Sequence, residues 1–411
     1  MINVGDSRLG IEERFDYIIA GAGAAGLSLV YHLHQAGLTD KRILLLDRAP
    51  KTANDRTWCF WEVGEGTFEP VVFRRWERLA FHGEDFSTVL EIAPYRYKMI
   101  RGGDFYRFMA QWLDAQPNIA RAYAEVTGVE TEGNEAVVRT NDGRAYHGAW
   151  AFNSILLDPL AQRPTYHYLL QHFLGWVIWT PACAFDPNVA TLMDFRVDQA
   201  DDTRFVYVLP FDAHTALVEY TVFSRELLPR SDYVRQLEAY INDRLRITDY
   251  ETQHEEFGVI PMTDAPFPAR RGARVINIGT AGGCTKPSTG YTFQRIQRRA
   301  QRIAQALKAT GRPDVATPPL HKRYQLFDSA LLNVLDEGRE RGRRVFTDLF
   351  ARNPPQRVFR FLDEDTTPTE DVQIMSSVNI PAFVAATADA LRRRLAAPRS
   401  HPLSHTDSST R

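Results

Sequence analysis

The most definite chemistry in this 411-residue chain lies near its start. Gly21-Ala22-Gly23-Ala24-Ala25-Gly26 follows directly on the short apolar run Tyr17-Ile18-Ile19-Ala20. In such a turn Gly21 makes the tight bend, Gly23 lets the backbone approach a pyrophosphate, and Gly26 lets helix and strand pack closely. Ala25 belongs to the same phosphate-facing stretch, where the free N–H groups of a helix start point at an anion. Asp47 stands 21 residues after Gly26, at the end of an apolar run, where a carboxylate takes both hydroxyls of a ribose. The set describes a site for an ADP-containing dinucleotide.

The elements that must hold these residues are legible around them. Leu27, Leu29, Val30 and Leu33 follow at roughly helical spacing, Gly37 ends that helix, and 42–47 reads as a second, buried strand. The turn alone does not separate FAD from NAD; two later stretches favour FAD. Residues 121–154 read as a meander of short strands, with turns at Glu132-Gly133-Asn134 and Asn141-Asp142-Gly143. Residues 274–278 read as a strand running into Gly279, Thr280, Gly282 and Gly283. That stretch resembles the second flavin-contacting segment of glutathione-reductase-like and hydroxylase-like flavoproteins, which usually carry Asp where this chain has Thr280.

The expected fold is α/β: a Rossmann-like FAD/NAD(P)-binding fold with an interleaved β-rich substrate domain and C-terminal helices. The FAD-binding domain is assigned to 15–60, 96–165 and 256–312, and the β-rich domain to 61–95 and 166–255. A helical region spans 313–397, between flexible tails at 1–14 and 398–411. Helices are expected over 104–113, 293–309, 322–337, 339–351 and 380–397.

Composition narrows the class further. Hydrophobic residues make up 44% and charged ones 24%, the balance of a folded protein. A formal charge of −2 argues against a nucleic-acid binder working through bulk charge. No run of about 18 apolar residues is present to span a bilayer. Cys59, Cys183 and Cys284 form neither a CxxC pair nor an even disulfide set, so a reducing, cytosolic location is the default.

Four further blocks carry a family resemblance: 55–62 (DRTWCFWE), 95–101 (YRYKMIR), 217–221 (LVEYT) and 285–291 (TKPSTGY). Together with the glycine turn they resemble the flavin-dependent bacterial lycopene beta-cyclases, from about Phe15 to about residue 390. The resemblance implies a metal-free flavoprotein that turns the linear ends of lycopene into beta-ionone rings, giving monocyclic gamma-carotene and then beta-carotene. Reduced FAD is then required, NAD(P)H supplies the electrons, and the enzyme is an intramolecular lyase with no net redox change. The acid held to be catalytic in the family's Phe-Leu-Glu-Glu-Thr-like motif falls on Glu219, and Tyr220 replaces the second acid. Lys286 stands where other lineages often carry His.

Such a reaction protonates a trisubstituted alkene, shelters a carbocation and removes a neighbouring proton. Fixed negative charge and aromatic faces in an apolar cavity help it. Within 215–223, strand alternation puts Leu217, Glu219, Thr221 and Phe223 on one face. Apolar neighbours there raise the pKa of Glu219, so that it can hold a proton at neutral pH. Delivery of the first proton and removal of the last are both open to it.

Other residues have alternative uses. Lys286, one of only six lysines among 49 basic residues, suits the flavin N1/C2=O edge, where a cation stabilises the anionic form, or else a surface turn. Arg56 suits a phosphate, the flavin or an ordinary salt bridge. Thr289 and Tyr291 are candidates for the same pocket. Trp58, Phe60 and Trp61 suit a polyene channel or a packed core. Arg339, Arg341, Arg343 and Arg344, ahead of Val345, Phe346, Leu349 and Phe350, form a basic amphipathic pattern fit for anionic lipid or for a solvated face. The lipid option describes a cytoplasmic enzyme bound peripherally to a membrane. A redox flavoenzyme acting on an isoprenoid and a non-catalytic dinucleotide sensor are the other readings.

Overall fold

The computed structural model describes residues 14–157, 165–313 and 322–396. Apart from Arg14, the expected tails lie outside the described residues. The chain opens with β1 (Arg14–Ala20), α1 (Ala24–Gln35) and β2 (Ile43–Asp47). Next come β3 (Thr57–Val63), β4 (Arg74–Trp76), β5 (Arg78–His82), β6 (Ser87–Glu91), β7 (Tyr95–Arg101) and α2 (Gly102–Asp114). They are followed by β8 (Ile119–Tyr123), β9 (Val126–Glu132), β10 (Glu135–Thr140) and β11 (Ala145–Asn153). A second run holds β12 (Tyr168–Trp179), β13 (Val189–Asp194), β14 (Thr203–Pro210), β15 (Thr215–Ser224), α3 (Arg230–Ala239) and β16 (Glu251–Thr263). The last part holds β17 (Val275–Asn277), α4 (Phe293–Thr310), α5 (Lys322–Asp336), α6 (Gly342–Ala351), α7 (Pro355–Leu362), α8 (Pro368–Ser377) and α9 (Ile380–Ala396).

The first sheet has the order β8-β2-β1-β11-β10-β9, with β17 beside β11. Residues 17–20 of β1 and all of β2 are buried, as expected of parallel strands covered on both faces. β1 pairs in parallel with β2 on one side and with β11 on the other. The strand order therefore reverses at β1, and a crevice opens at its carboxyl end, the usual ligand position in such sheets. Of the meander expected over 121–154, β9, β10 and β11 are antiparallel neighbours, while β8 runs parallel to β2 at the edge.

The second sheet has the order β16-β12-β15-β14-β13-β5-β6. Along β15, Ala216, Val218, Tyr220 and Val222 pack with Tyr233 and Leu237 of α3. Leu217 and Phe223 pack on the opposite side, with Phe205 and Tyr207. Glu219 and Thr221 share that second side by alternation. The boundary drawn at 256 falls inside β16, which pairs with β12 as far as Thr263. The substrate sheet thus extends past it, because the first half of β16 is an exposed polar edge without a strand's apolar alternation.

α6 corrects the lipid-binding expectation. Val345, Phe346, Leu349 and Phe350 are buried, with Phe346 stacked on Phe195 at 5.7 Å. Arg343 pairs with Glu84 at 2.6 Å, Arg344 with Asp348 at 3.3 Å, and Arg339 donates to Asn333 at 2.6 Å. Arg341 sits at the helix N-cap. An amphipathic pattern reports a core-facing stripe as readily as a lipid-facing one, and here the stripe is core. Among the described residues no single helix is long and apolar enough to cross a membrane.

Candidate active site

A cavity of about 550 Å³ runs from the glycine turn to β15. Gly23, Ala25, Arg56, Gly279 and Thr280 line one end. Gly21 has a φ of 100°, and a Cβ there would collide with Ser154 Oγ. A Cβ on Gly26 would strike the Gly21 carbonyl oxygen, whereas Gly23 faces open space. No side chain among the described residues caps the start of α1, and its first turn holds no acid. Free N–H dipoles beside open space fit a pyrophosphate. Gly26→Ala is expected to cost ~1–3 kcal/mol through overpacking. A lowered Tm, together with less co-purifying dinucleotide, checks it.

Around this turn the other predicted contacts fall in two groups. The Ala22 N–H donates to Asp47 Oδ2 at 2.7 Å, and Lys51 Nζ lies 3.4 Å from Oδ1. Asp47 thus braces the turn, with lone pairs left for a ribose hydroxyl. Gly279 presses on the start of α1: a Cβ there would lie 2.8 Å from that of Ala25. Gly282 and Gly283 stand behind, Gly282 against the Asn277 carbonyl and Gly283 against Phe267. They shape the turn and lie outside the lining of this cavity. Ser154, which the sequence did not single out, ties the turn together by donating to the Ala20 carbonyl at 2.9 Å.

The other end is built by register. Tyr207, Glu219, Gly175 and Glu256 are successive partners across β14, β15, β12 and β16. Tyr207, Glu219 and Glu256 line the cavity with Leu217 and Phe173. Glu219 keeps some accessible surface because it faces the cavity; elsewhere protein surrounds it. Burial, reinforced by the negative charge of Glu256, pushes its carboxyl up to about 8. The Thr221 hydroxyl, donating at 3.2 Å, opposes this in part. The acid form of Glu219 is thereby favoured.

Apart from Glu256, the titratable groups packed around it are neutral. Burial raises the phenols of Tyr97 and Tyr207 well above their ordinary range, lifts Tyr291 to about 12, and raises the Cys59 thiol. Thr289 and Tyr291 line the cavity, and so does Trp58. Phe60 and Trp61 belong to the core: Phe60 stacks on Phe293 at 5.0 Å, and Trp61 stacks on Phe359 at 4.8 Å. Tyr220 faces α3, so a second acid at that position would lie on the far side of the sheet. Sequence reasoning missed Glu256 and Gly175. Neither has a local signal, and only the pairing of β16 and β15 on β12 brings them to Glu219.

Lys286 is placed elsewhere. Its side chain is buried, with Nζ 2.8 Å from Asp328 and 3.2 Å from Glu364. Arg295 also pairs with Glu364, and the Ser288 hydroxyl donates to Asp328 at 2.6 Å. Its burial rules out the surface-turn alternative, and its ammonium is engaged by two acids. A buried ammonium needs counter-charges, and these stand on α5 and just after α7. Although burial opposes it, Lys286 and Arg295 hold the Glu364 carboxyl down at about 2.

This arrangement, two seven-stranded sheets and a small third one of β3, β7 and β4 with the glycine turn at a switch point, is the fold of flavoprotein reductases and monooxygenases. A flavoprotein/dehydrogenase from Cytophaga hutchinsonii shares it at a TM-score of 0.58 and 12% identity, over 92% of this chain and 100% of that one. A geranylgeranyl bacteriochlorophyll reductase-like protein from Thermoplasma acidophilum does so at 0.56 and 11%, over 92% and 97%. The lycopene cyclase protein family matches residues 16–391, and the chain belongs to that family. Chloroplastic neoxanthin synthase of Solanum tuberosum is 28% identical over 314 residues, 72% of this chain and 60% of the relative. Lycopene beta-cyclase of Pantoea ananas is 27% identical over 324 residues, 72% and 75% of the two chains. The chain thus spans less than two thirds of the plant relative's length.

Proposed function

We propose that the protein is a lycopene beta-cyclase, converting the linear ends of lycopene to beta-ionone rings by way of gamma-carotene. The observation that carries this reading is one cavity joining an uncapped dinucleotide turn to Glu219, a carboxyl set among apolar and aromatic side chains. The cradle formed by Gly21, Gly23, Gly26 and Gly279 fits FAD, with Arg56 at its edge. When bound and kept reduced by NAD(P)H, the flavin supplies negative charge beside a developing cation with no net redox change.

The chain's own residues do the rest. Glu219 holds a proton for the terminal alkene, whose π electrons form the new C–H bond. A second alkene then closes the ring C–C bond and carries the positive charge. The carboxylate left on Glu219 then takes a neighbouring C–H proton, the pair of that bond becoming the ring alkene, so that substrate and product are isomers and the acid is restored. Trp58, Phe173, Tyr207 and Tyr291 offer the cation aromatic faces. Because the acid form of Glu219 is the active one, turnover is expected to fall as pH rises through about 8, which a pH–rate profile checks. A polyene hydrocarbon is held in lipid, so peripheral membrane binding of a cytoplasmic enzyme is part of the proposal, with α6 excluded as the docking element.

Expression in lycopene-accumulating cells tests the reading. The expected pigment has the mass of lycopene and a cyclic-end absorption spectrum. Unchanged lycopene with flavin bound refutes the reading. Added oxygen or added hydrogen replaces it with a redox flavoenzyme.

A further inference from the structure

We propose that Glu256 is a positioning residue whose fixed carboxylate, on the far side of Gly175, keeps the proton on Glu219. The proposal rests on the reading of Glu219 as an acid. Gly175 of β12 is the register partner of Glu219 on one side and of Glu256 on the other. With strands ~4.8 Å apart, the two acids sit about 10 Å apart at their Cα atoms, on one face. Gly175 puts no side chain between them. A Cβ there would meet Leu217 Cδ1 at 3.0 Å and Glu219 Cβ at 3.4 Å.

The two carboxyls are not equivalent. The Thr57 N–H donates to Glu256 Oε1 at 2.9 Å, and the Thr57 hydroxyl donates to Oε2 at 2.6 Å. Both oxygens are thereby held as acceptors, which favours the ionised form. Glu219 has the Thr221 hydroxyl at 3.2 Å. Burial raises both groups, and for Glu256 the rise is opposed in part by Thr57, His254 and Arg56. The remaining facing groups, Cys59, Tyr97, Tyr207 and Tyr291, are neutral. Of the pair, Glu256 keeps the charge and Glu219 keeps the proton.

Two readouts on the FAD-loaded protein test this: the pH profile of lycopene conversion, and a ¹³C NMR titration of the Glu219 carboxyl. Glu256→Gln keeps the shape and an acceptor for the Thr57 N–H while removing the charge. The alkaline limb and the Glu219 titration should both move to lower pH by about one unit or more. Thr57→Val, which removes the hydroxyl donor, should move them in the same direction and serves if Glu256→Gln does not fold. Curves that superimpose on the wild type, or move to higher pH, overturn the proposal. The titration reads the coupling whether or not lycopene is converted, so a failed cyclase reading and a failed Glu256 role give different results.

Discussion

Glu219→Gln is expected to lower the rate of ring formation by ~10²–10⁴-fold, the usual contribution of a positioned general acid. The substitution keeps the volume of the side chain and the contact with Thr221, but an amide has no proton to give to an alkene. It also removes a carboxyl that burial and Glu256 push up to about 8. Flavin content and Tm should therefore change little while conversion of lycopene collapses. Rates from pigment chromatography, read beside the flavin absorbance of the same sample, check this. A variant retaining most of the wild-type rate would place the proton source elsewhere.

Lys286→Met is expected to act on stability instead, at a cost of ~3–5 kcal/mol, because it leaves buried charge without its partner. Asp328 loses its ion pair with Lys286, and Glu364 loses one of its cationic partners while Arg295 stays. The pH dependence gives a second handle. Glu364 sits at about 2 in the fold against an ordinary 4.5, so its contribution is complete above the ordinary value and is lost as pH falls through about 2. In Lys286→Met that carboxyl rises, and the loss of stability between these values should shrink. Denaturant unfolding from neutral to acid pH measures both effects. An unchanged stability with a large loss of turnover would return Lys286 to the reaction.

How much of this was legible in the residues depends on the range of the interaction. The glycine turn, α1 and β2 are local: a period, a breaker and an apolar run suffice, and Gly21 and Gly26 do the packing jobs their types require. Alternation likewise put Glu219 with Leu217 and Phe223. Glu256 shows the limit. It lies among polar residues of an exposed edge, and its relation to Glu219 exists only through two strand registers on β12. Lys286 shows another: its rarity drew attention, but its partners come from α5 and from beyond α7, many residues away. The arginines at and before the start of α6 point the wrong way for a related reason, since a helical stripe does not say what covers it. α3, α7 and α8 were not anticipated, being short or weakly periodic segments stabilised by tertiary packing.

The central claim is that a protein-held, solvent-exchangeable proton opens ring formation and that no net oxidation or reduction follows. Turnover of lycopene in D₂O, with the product analysed by mass spectrometry, tests it most directly. The expected product is heavier than its H₂O counterpart by one deuterium for each ring formed, and the H₂O product has the mass of lycopene. A cyclic product without deuterium, or one carrying added oxygen or hydrogen, would contradict it.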